Sequence, residues 1–199
     1  SDGMKVIAVE RMWNGDRRIE SEALGRERVS DPRKVPMTLI ADSAVVRRGM
    51  PLFVPDFAMD WVLEIVPAVV ICRLGKSIPV RFAHRYYREI GVMGRLVPKD
   101  GLPEGALACG FDGALCMGGF YGLPDDGVWS VIVDGKEELT LGREELGIDE
   151  CVALVSRYMM LKTGDIIIPC RTGLRVGLEL GIRVAATLNG EKAMDLKIK

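Results

Sequence analysis

The longest apolar run in this chain spans residues 61–72 and reads WVLEIVPAVVIC. Its valines and isoleucines favour a strand, because β-branched side chains pack well on a pleated surface. We therefore predict a buried strand here, with a bulge or break at Pro67, which lacks a backbone N–H. Glu64 is the only charged residue in the run. A lone carboxylate in a buried strand needs a partner, because burying an unpaired charge is costly.

The remaining segments predict a mainly β chain with minor helices, an α+β class. Hairpins are expected over residues 128–141, around an Asp-Gly pair, and over residues 183–198, around an Asn-Gly pair. Both pairs favour the tight turns that join antiparallel strands. Short apolar runs at residues 5–9 and 166–168 predict further strands.

The pattern outside these strands predicts two helices and several loops. Apolar residues recur every fourth position over residues 81–90, which indicates a short amphipathic helix. A second helix is expected to be capped by Asp149 and to run to Met159. Ten glycines and three prolines predict a loop-rich segment over residues 91–127, and the charged segment 10–34 predicts an exposed arm or mobile loop.

Composition excludes several classes of function. The chain has 199 residues, with 27 Lys+Arg against 28 Asp+Glu, and this balance argues against a dedicated nucleic-acid binder. A single histidine excludes a metal site built on two histidines. Five cysteines without C-x-x-C spacing predict free thiols in a reducing compartment.

Domain organisation and location follow from length and hydropathy. We expect one domain over residues 4–199, with residues 1–3 added before a native Met4. No apolar run reaches the length of a membrane span, and the start of the sequence lacks a signal-peptide pattern. We therefore expect a cytoplasmic protein without a membrane or nucleic-acid partner.

Short segments distributed along the chain carry a family resemblance. They are MKVIAV (4–9), DSA (42–44), PLFVPDF (51–57), ICRLGKSI (71–78), FAHRYYREIG (82–91), GFDGAL (110–115), VDGKEE (133–138), SRYMMLKTGDIII (156–168) and LNGEKAMDLKIK (188–199). In this combination and order the chain resembles a small member of the fumarylacetoacetate hydrolase (FAH) family. The resemblance implies a mixed β-roll or β-sandwich fold, a homodimer, and a Mg²⁺ or Mn²⁺ site used on small oxo-acids.

The family's metal ligands are a Glu-x-Glu pair and a later aspartate. Aligning the motifs places Glu64 at the first glutamate, Val66 at the second, and Arg95 at the aspartate, or Met93 if the loop is shifted. Mg²⁺ requires several oxygen ligands, so Glu64 alone is predicted to be insufficient. Arg95 is expected to pair with Glu64 instead. We expect no cofactor, or Mg²⁺ or Mn²⁺ if the family site survives in altered form.

Other residues are candidates by position or chemistry. The resemblance makes Arg11, Lys99 and Cys109 candidate catalytic residues beside Glu64 and Arg95. Arginines recognise carboxylates through paired hydrogen bonds, so residues 171 and 175, both arginines, are candidates for binding a small carboxylate or oxo-acid, with plain surface arginines as the alternative.

His84 could act as a general base, but its place within FAHRYY favours a structural role. The main hypothesis is a divergent FAH-family protein with metal-dependent catalysis lost or strongly reduced. Such a protein would bind a small carboxylate or serve as a dimeric scaffold. The alternative is an active hydrolase or isomerase with a rearranged site around Glu64. A third hypothesis is a thiol-dependent activity through Cys109.

Overall fold

The structure is a computed structural model that describes residues 3–10, 31–101, 103, 105, 107–169 and 173–199. It consists mostly of strands in two sheets, which confirms the mainly β prediction. The strands are β1 (Val6–Val9), β2 (Met37–Ile40), β3 (Val45–Val46), β4 (Trp61–Ile71), β5 (Tyr87–Pro98), β6 (Leu115–Gly122), β7 (Trp129–Val133), β8 (Glu137–Leu141), β9 (Ile166–Ile168), β10 (Leu174–Gly177), β11 (Arg183–Leu188) and β12 (Glu191–Lys197). The α-helices are α1 (Val80–Ala83), α2 (Leu107–Gly110), α3 (Arg143–Leu146) and α4 (Ile148–Tyr158), with 3₁₀ turns at Pro32–Lys34, Asp42–Ala44 and His84–Tyr86.

The larger sheet has the strand order β2-β1-β9-β4-β5-β6-β3, with β10 as a further partner of β4. The long apolar run forms β4, as predicted, and only Val70 in that strand is not buried. The strand continues through Pro67, and its bulge lies between Val69 and Ile71. In the described chain, β10 pairs with residues 62–65 of β4 and β9 with residues 69–70. Pro67 falls in the gap between these two neighbours, where a residue without an N–H is tolerated.

The helix predicted over residues 81–90 is shorter than expected, because α1 and the following 3₁₀ turn end at Tyr86 and β5 begins at Tyr87. The segment predicted to be loop-rich, residues 91–127, also contains most of β5, α2 and all of β6. Glycines here permit close strand packing instead of making turns. A Cβ added at Gly91 would lie 2.5 Å from Phe120, and one at Gly118 would lie 2.4 Å from Val92.

The smaller sheet has the order β12-β11-β7-β8 and contains both predicted hairpins. Asp134 and Gly135 have φ angles of 51° and 69°, and Asn189 and Gly190 have φ angles of 48° and 85°. Two successive positive φ angles match the twist of the flanking strands. The buried Trp129 joins this sheet to the larger one, because its Nε1 donates to the Gly91 carbonyl at 3.0 Å.

The predicted second helix is confirmed as α4, but its cap differs. Gly147, with a φ of 56°, occupies the capping position, and Asp149 lies in the first turn. Asp149 accepts a 2.7 Å hydrogen bond from the Tyr87 hydroxyl, so this carboxylate joins α4 to the start of β5. None of the helices in the described ranges is long and apolar enough to cross a membrane.

Most of the segment predicted as a mobile arm, residues 11–30, lies outside the described residues. Its two ends are ordered elements of the fold. Glu10 follows β1 directly and donates its backbone N–H to the Pro36 carbonyl at 2.8 Å. Pro32–Lys34 form a 3₁₀ turn capped by Asp31.

Candidate functional site

The positions that the resemblance assigns to metal ligands lie together at the centre of the larger sheet. Glu64 on β4 is the direct cross-strand partner of Arg95 on β5, and Val66 is the partner of Met93. Alternate residues of a strand face the same side, so these four residues share one face of the sheet. Glu64 and Arg95 are both buried, with 5% of each residue exposed.

The guanidinium of Arg95 pairs with Glu10, which corrects the expected Glu64–Arg95 ion pair. Nη1 donates to one carboxylate oxygen of Glu10 at 2.9 Å, and Nη2 donates to the other at 2.9 Å. Paired, charge-assisted hydrogen bonds of this kind are stronger than single neutral ones. Glu64 also has an interaction partner, so its carboxylate is not isolated in the strand.

Glu10 reaches Arg95 from the end of β1. Strands β1 and β2 are antiparallel, with Val9 opposite Met37, and this pairing places Thr38 beside Glu10. The Thr38 hydroxyl donates to a Glu10 carboxylate oxygen at 2.9 Å. The Glu10 side chain is 14% exposed and the Arg95 side chain 6% exposed. The site therefore contains a largely buried ion pair, in which Glu10 at the end of β1 holds Arg95 of β5.

The ion pair maintains the charge of Arg95. Burial opposes a charged guanidinium, but the hydrogen bonds and charge of Glu10 outweigh that effect and raise the pKa of Arg95 above its ordinary value. Arg95 is therefore a permanent cation at this place in the sheet.

Cys109 on α2 lies against the same guanidinium, with Nη2 of Arg95 3.6 Å from its Sγ. A cavity of about 10 Å³ adjoins these two residues and is otherwise lined by apolar side chains and backbone, including Ile40, Ala108 and Leu115. This volume holds about one water molecule.

The structure describes two of the other candidate residues, Arg175 and Lys99. Arg175 on β10 is the cross-strand partner of Glu64 on the side opposite β5, so arginines flank Glu64 in the register on both sides. Lys99 follows β5, and its backbone N–H donates to the Asp60 carbonyl at 2.9 Å. Arg11 and Arg171 lie outside the described residues.

His84 lies in the exposed 3₁₀ turn that precedes β5. The eight residues from the start of β5 to Arg95 correspond to roughly 26 Å of extended strand. A cavity of about 180 Å³ at this end is lined by residues that include His84, Tyr87, Arg143 and Asp149. Burial, and then the hydrogen bond to Asp149, raise the pKa of Tyr87 above its ordinary value. His84, which precedes β5, is therefore far from Arg95, which lies near the other end of that strand.

The sequence patterns do not point to Glu10 or Thr38. Glu10 falls within the charged segment 10–34, although it directly follows the apolar strand β1. The sequence signal for Glu10 is its position as a carboxylate at the end of an apolar strand, because strand ends bring polar side chains to one edge of a sheet. The sequence around Thr38 contains no pattern that indicates a role in the site.

Of the four described residues at the positions that the resemblance assigns to metal ligands, only Glu64 carries a carboxylate. Within the described chain, no group of three or more His, Cys, Asp or Glu side chains could hold a metal ion. Arg95 is the cross-strand partner of Glu64 and stands at the position where the resemblance implies an aspartate. Val66 and Met93 add apolar side chains to the same face.

Comparisons with solved structures identify the fold. No protein-family model and no curated protein matches the chain in sequence. The 5-carboxymethyl-2-hydroxymuconate delta-isomerase from Mycobacterium smegmatis superposes with a TM-score of 0.76 and 21% identity over 98% of this chain and 78% of its own. Fumarylpyruvate hydrolase from Pseudomonas aeruginosa, solved with Mn²⁺ and pyruvate, gives a TM-score of 0.70 and 18% identity over 98% of this chain and 88% of its own. The 2-hydroxyhepta-2,4-diene-1,7-dioate isomerase from Mycobacterium marinum gives a TM-score of 0.73 and 18% identity over 98% of this chain and 73% of its own. The chain therefore has the fold of the FAH-family hydrolases and isomerases, as its sequence motifs predicted.

Proposed function

We propose that this chain is a divergent FAH-family protein in which metal-dependent catalysis is lost or strongly reduced. The observation that supports this proposal is the bidentate pair between Arg95 and Glu10. Arg95 stands at a position where the resemblance implies a carboxylate ligand, and the Glu10 carboxylate holds this cation in place.

Electrostatics supports the loss of metal binding. Two unit charges 4 Å apart interact by about 4 kcal/mol near a protein surface, and a divalent cation doubles this repulsion. A metal beside Glu64 would face the guanidinium of Arg95, which Glu10 keeps charged. A single carboxylate does not supply the oxygen ligands that offset such repulsion.

The remaining chemistry favours binding of a small carboxylate or oxo-acid. Pyruvate is the organic molecule in the Mn²⁺ complex of the Pseudomonas aeruginosa hydrolase. In this chain Arg95 and Arg175 flank Glu64 in the sheet, and guanidinium groups bind carboxylates well. The proposal includes a homodimer in the cytoplasm that binds a small carboxylate rather than nucleic acid or a membrane.

Turnover with and without metal tests the proposal. Oxaloacetate decarboxylation and acylpyruvate cleavage are measured in EDTA and in 1 mM Mn²⁺, with the Pseudomonas aeruginosa hydrolase as positive control. We expect no Mn²⁺-dependent turnover and no rise in melting temperature with Mn²⁺ or Mg²⁺. Mn²⁺-dependent turnover at rates near the control would contradict the proposal, and turnover that Glu64→Gln abolishes would favour an active enzyme with a rearranged site.

A further inference from the structure

The Arg95–Glu10 pair has the geometry of a guanidinium bound to a free carboxylate. We propose that Arg95 is a binding site for small carboxylates and that Glu10 is its internal occupant, which an external carboxylate must displace. The inference rests on the proposed function for the class of ligand. It adds the residue that binds the ligand and the residue that competes with it.

The hydrogen bonds define the ligand class. Both terminal nitrogens of Arg95 donate to separate oxygens of one carboxylate at 2.9 Å. The Thr38 hydroxyl donates to one of the same oxygens at 2.9 Å. These three donors suit any planar carboxylate, because none of them depends on the side chain that carries it.

The described space beside the pair is small. The adjoining cavity has a volume of about 10 Å³, which accommodates about one water but no second carboxylate. Glu10 and Arg95 are both largely buried. In this proposal a pyruvate or propionate carboxylate therefore reaches Arg95 by taking the place of the Glu10 carboxylate.

The backbone permits this exchange without loss of the surrounding sheet. Glu10 is anchored through its backbone N–H to the Pro36 carbonyl at 2.8 Å, and β1 pairs with β2 up to Val9. Movement of the Glu10 side chain therefore leaves the main-chain contacts of this strand end intact.

Chemical rescue tests the proposal. Glu10→Ala removes the internal carboxylate, and its melting temperature is measured in EDTA with propionate or with propionamide, its neutral counterpart. Ligand binding to the folded state stabilises it, so we expect a rise of roughly 3–5 °C at ten times Kd. Propionamide is expected to have no such effect, and the wild-type protein is expected to shift much less than the variant.

Two control variants locate the effect. In Glu10→Ala/Arg95→Met the cation is absent, so propionate should give no rise. Asp31→Ala removes the carboxylate of the exposed Asp31–Arg33 pair, whose atoms lie 2.8 Å apart. Its arginine is solvated, so we expect no rescue. A rise that persists without Arg95, an equal rise in the wild type, or no rise in Glu10→Ala would each overturn the proposal.

A second variant covers failure to fold. If Glu10→Ala does not fold in buffer, its refolding yield with propionate or with propionamide is compared, and equal yields count against the proposal. Glu10→Gln keeps the side-chain volume, and its pyruvate affinity by calorimetry should exceed that of the wild type at least tenfold. An unchanged affinity overturns the proposal.

These measurements are made without a metal ion and do not depend on turnover. Their result can therefore be distinguished from the result of the turnover test of the proposed function. Mn²⁺-dependent turnover of the wild type would refute the proposed function whatever the rescue result. A failed rescue in a protein that shows no response to Mn²⁺ would refute the carboxylate site proposed at Arg95 and would leave the loss of metal-dependent catalysis standing.

Discussion

Arg95 and Glu10 form a bidentate ion pair between residues 85 positions apart, with both hydrogen bonds at 2.9 Å. The pair lies beside Glu64, on the face of the sheet where the FAH resemblance places a divalent metal. It explains how a buried arginine is tolerated in the middle of β5, because both terminal nitrogens of its guanidinium have carboxylate partners.

Breaking this pair from one side should destabilise the fold. Arg95→Met leaves the Glu10 carboxylate largely buried without its cation, and we expect a loss of about 3–5 kcal/mol in the free energy of unfolding. Glu10→Gln/Arg95→Met, which removes both charges, should recover a large part of that loss. Urea denaturation measures the unfolding free energy of the wild type, Glu10→Gln, Arg95→Met and the double variant, and strictly additive single-variant effects would show that the two residues are not coupled.

Restoring the carboxylates should restore metal binding. In Val66→Glu/Arg95→Asp, three acidic side chains share the face that now carries Glu64, Val66 and Arg95. Mn²⁺ at 1 mM should then raise the melting temperature, because oxygen ligands converge and the opposing cation is gone. The wild type and Val66→Glu alone are controls without the full set. No difference among the three proteins would show that these positions do not converge on one metal.

Asp165 anchors β1 and the turn before β9. It is 1% exposed and accepts hydrogen bonds from the Lys5 backbone N–H at 2.9 Å, the Lys5 ammonium at 2.6 Å and the Lys162 backbone N–H at 2.8 Å. Asp165→Asn replaces one acceptor oxygen by a donor, so we expect a loss of about 2–4 kcal/mol in unfolding free energy. Asp195→Asn is the control, since the Asp195–Arg183 pair is exposed and should contribute much less. Similar losses for the two variants would contradict this role.

We predict that the buried thiol of Cys116 lowers the free energy of unfolding at alkaline pH. Burial raises the pKa of Cys116 from 9.0 to about 12. The unfolded chain therefore releases this proton first, and stability falls by about 1.4 kcal/mol per pH unit as pH rises from about 9 towards 12. Below pH 9 the thiol contributes no pH dependence.

Urea denaturation at pH 8, 9, 10 and 11 measures this effect in the wild type and in Cys116→Ala. The variant should have a shallower decline, because its remaining alkaline groups, including Tyr87, are unchanged. Parallel declines in the two proteins would rule out the buried thiol as a source of the pH dependence.

Local patterns predicted the elements whose structure depends on neighbouring residues in the chain. The Asp-Gly and Asn-Gly turns adopt positive φ angles at their central positions because those residue types tolerate them, whatever surrounds the hairpin. The apolar run of β4 required burial in any fold. Glycines in β5 and β6 misled the prediction, because the need for glycine at Gly91 comes from Phe120 on another strand.

By itself the sequence determined the strand-rich class, the two hairpins, the long buried strand and, through its motifs, the FAH fold with a cation at Arg95. Only the tertiary structure decided which carboxylate that cation meets. Antiparallel pairing of β4 and β5 places Arg95 beside Glu64, but a sheet register aligns backbones and does not select side-chain partners. The end of β1 brings Glu10 into reach, and a guanidinium pairs with the carboxylate that offers both oxygens in its plane.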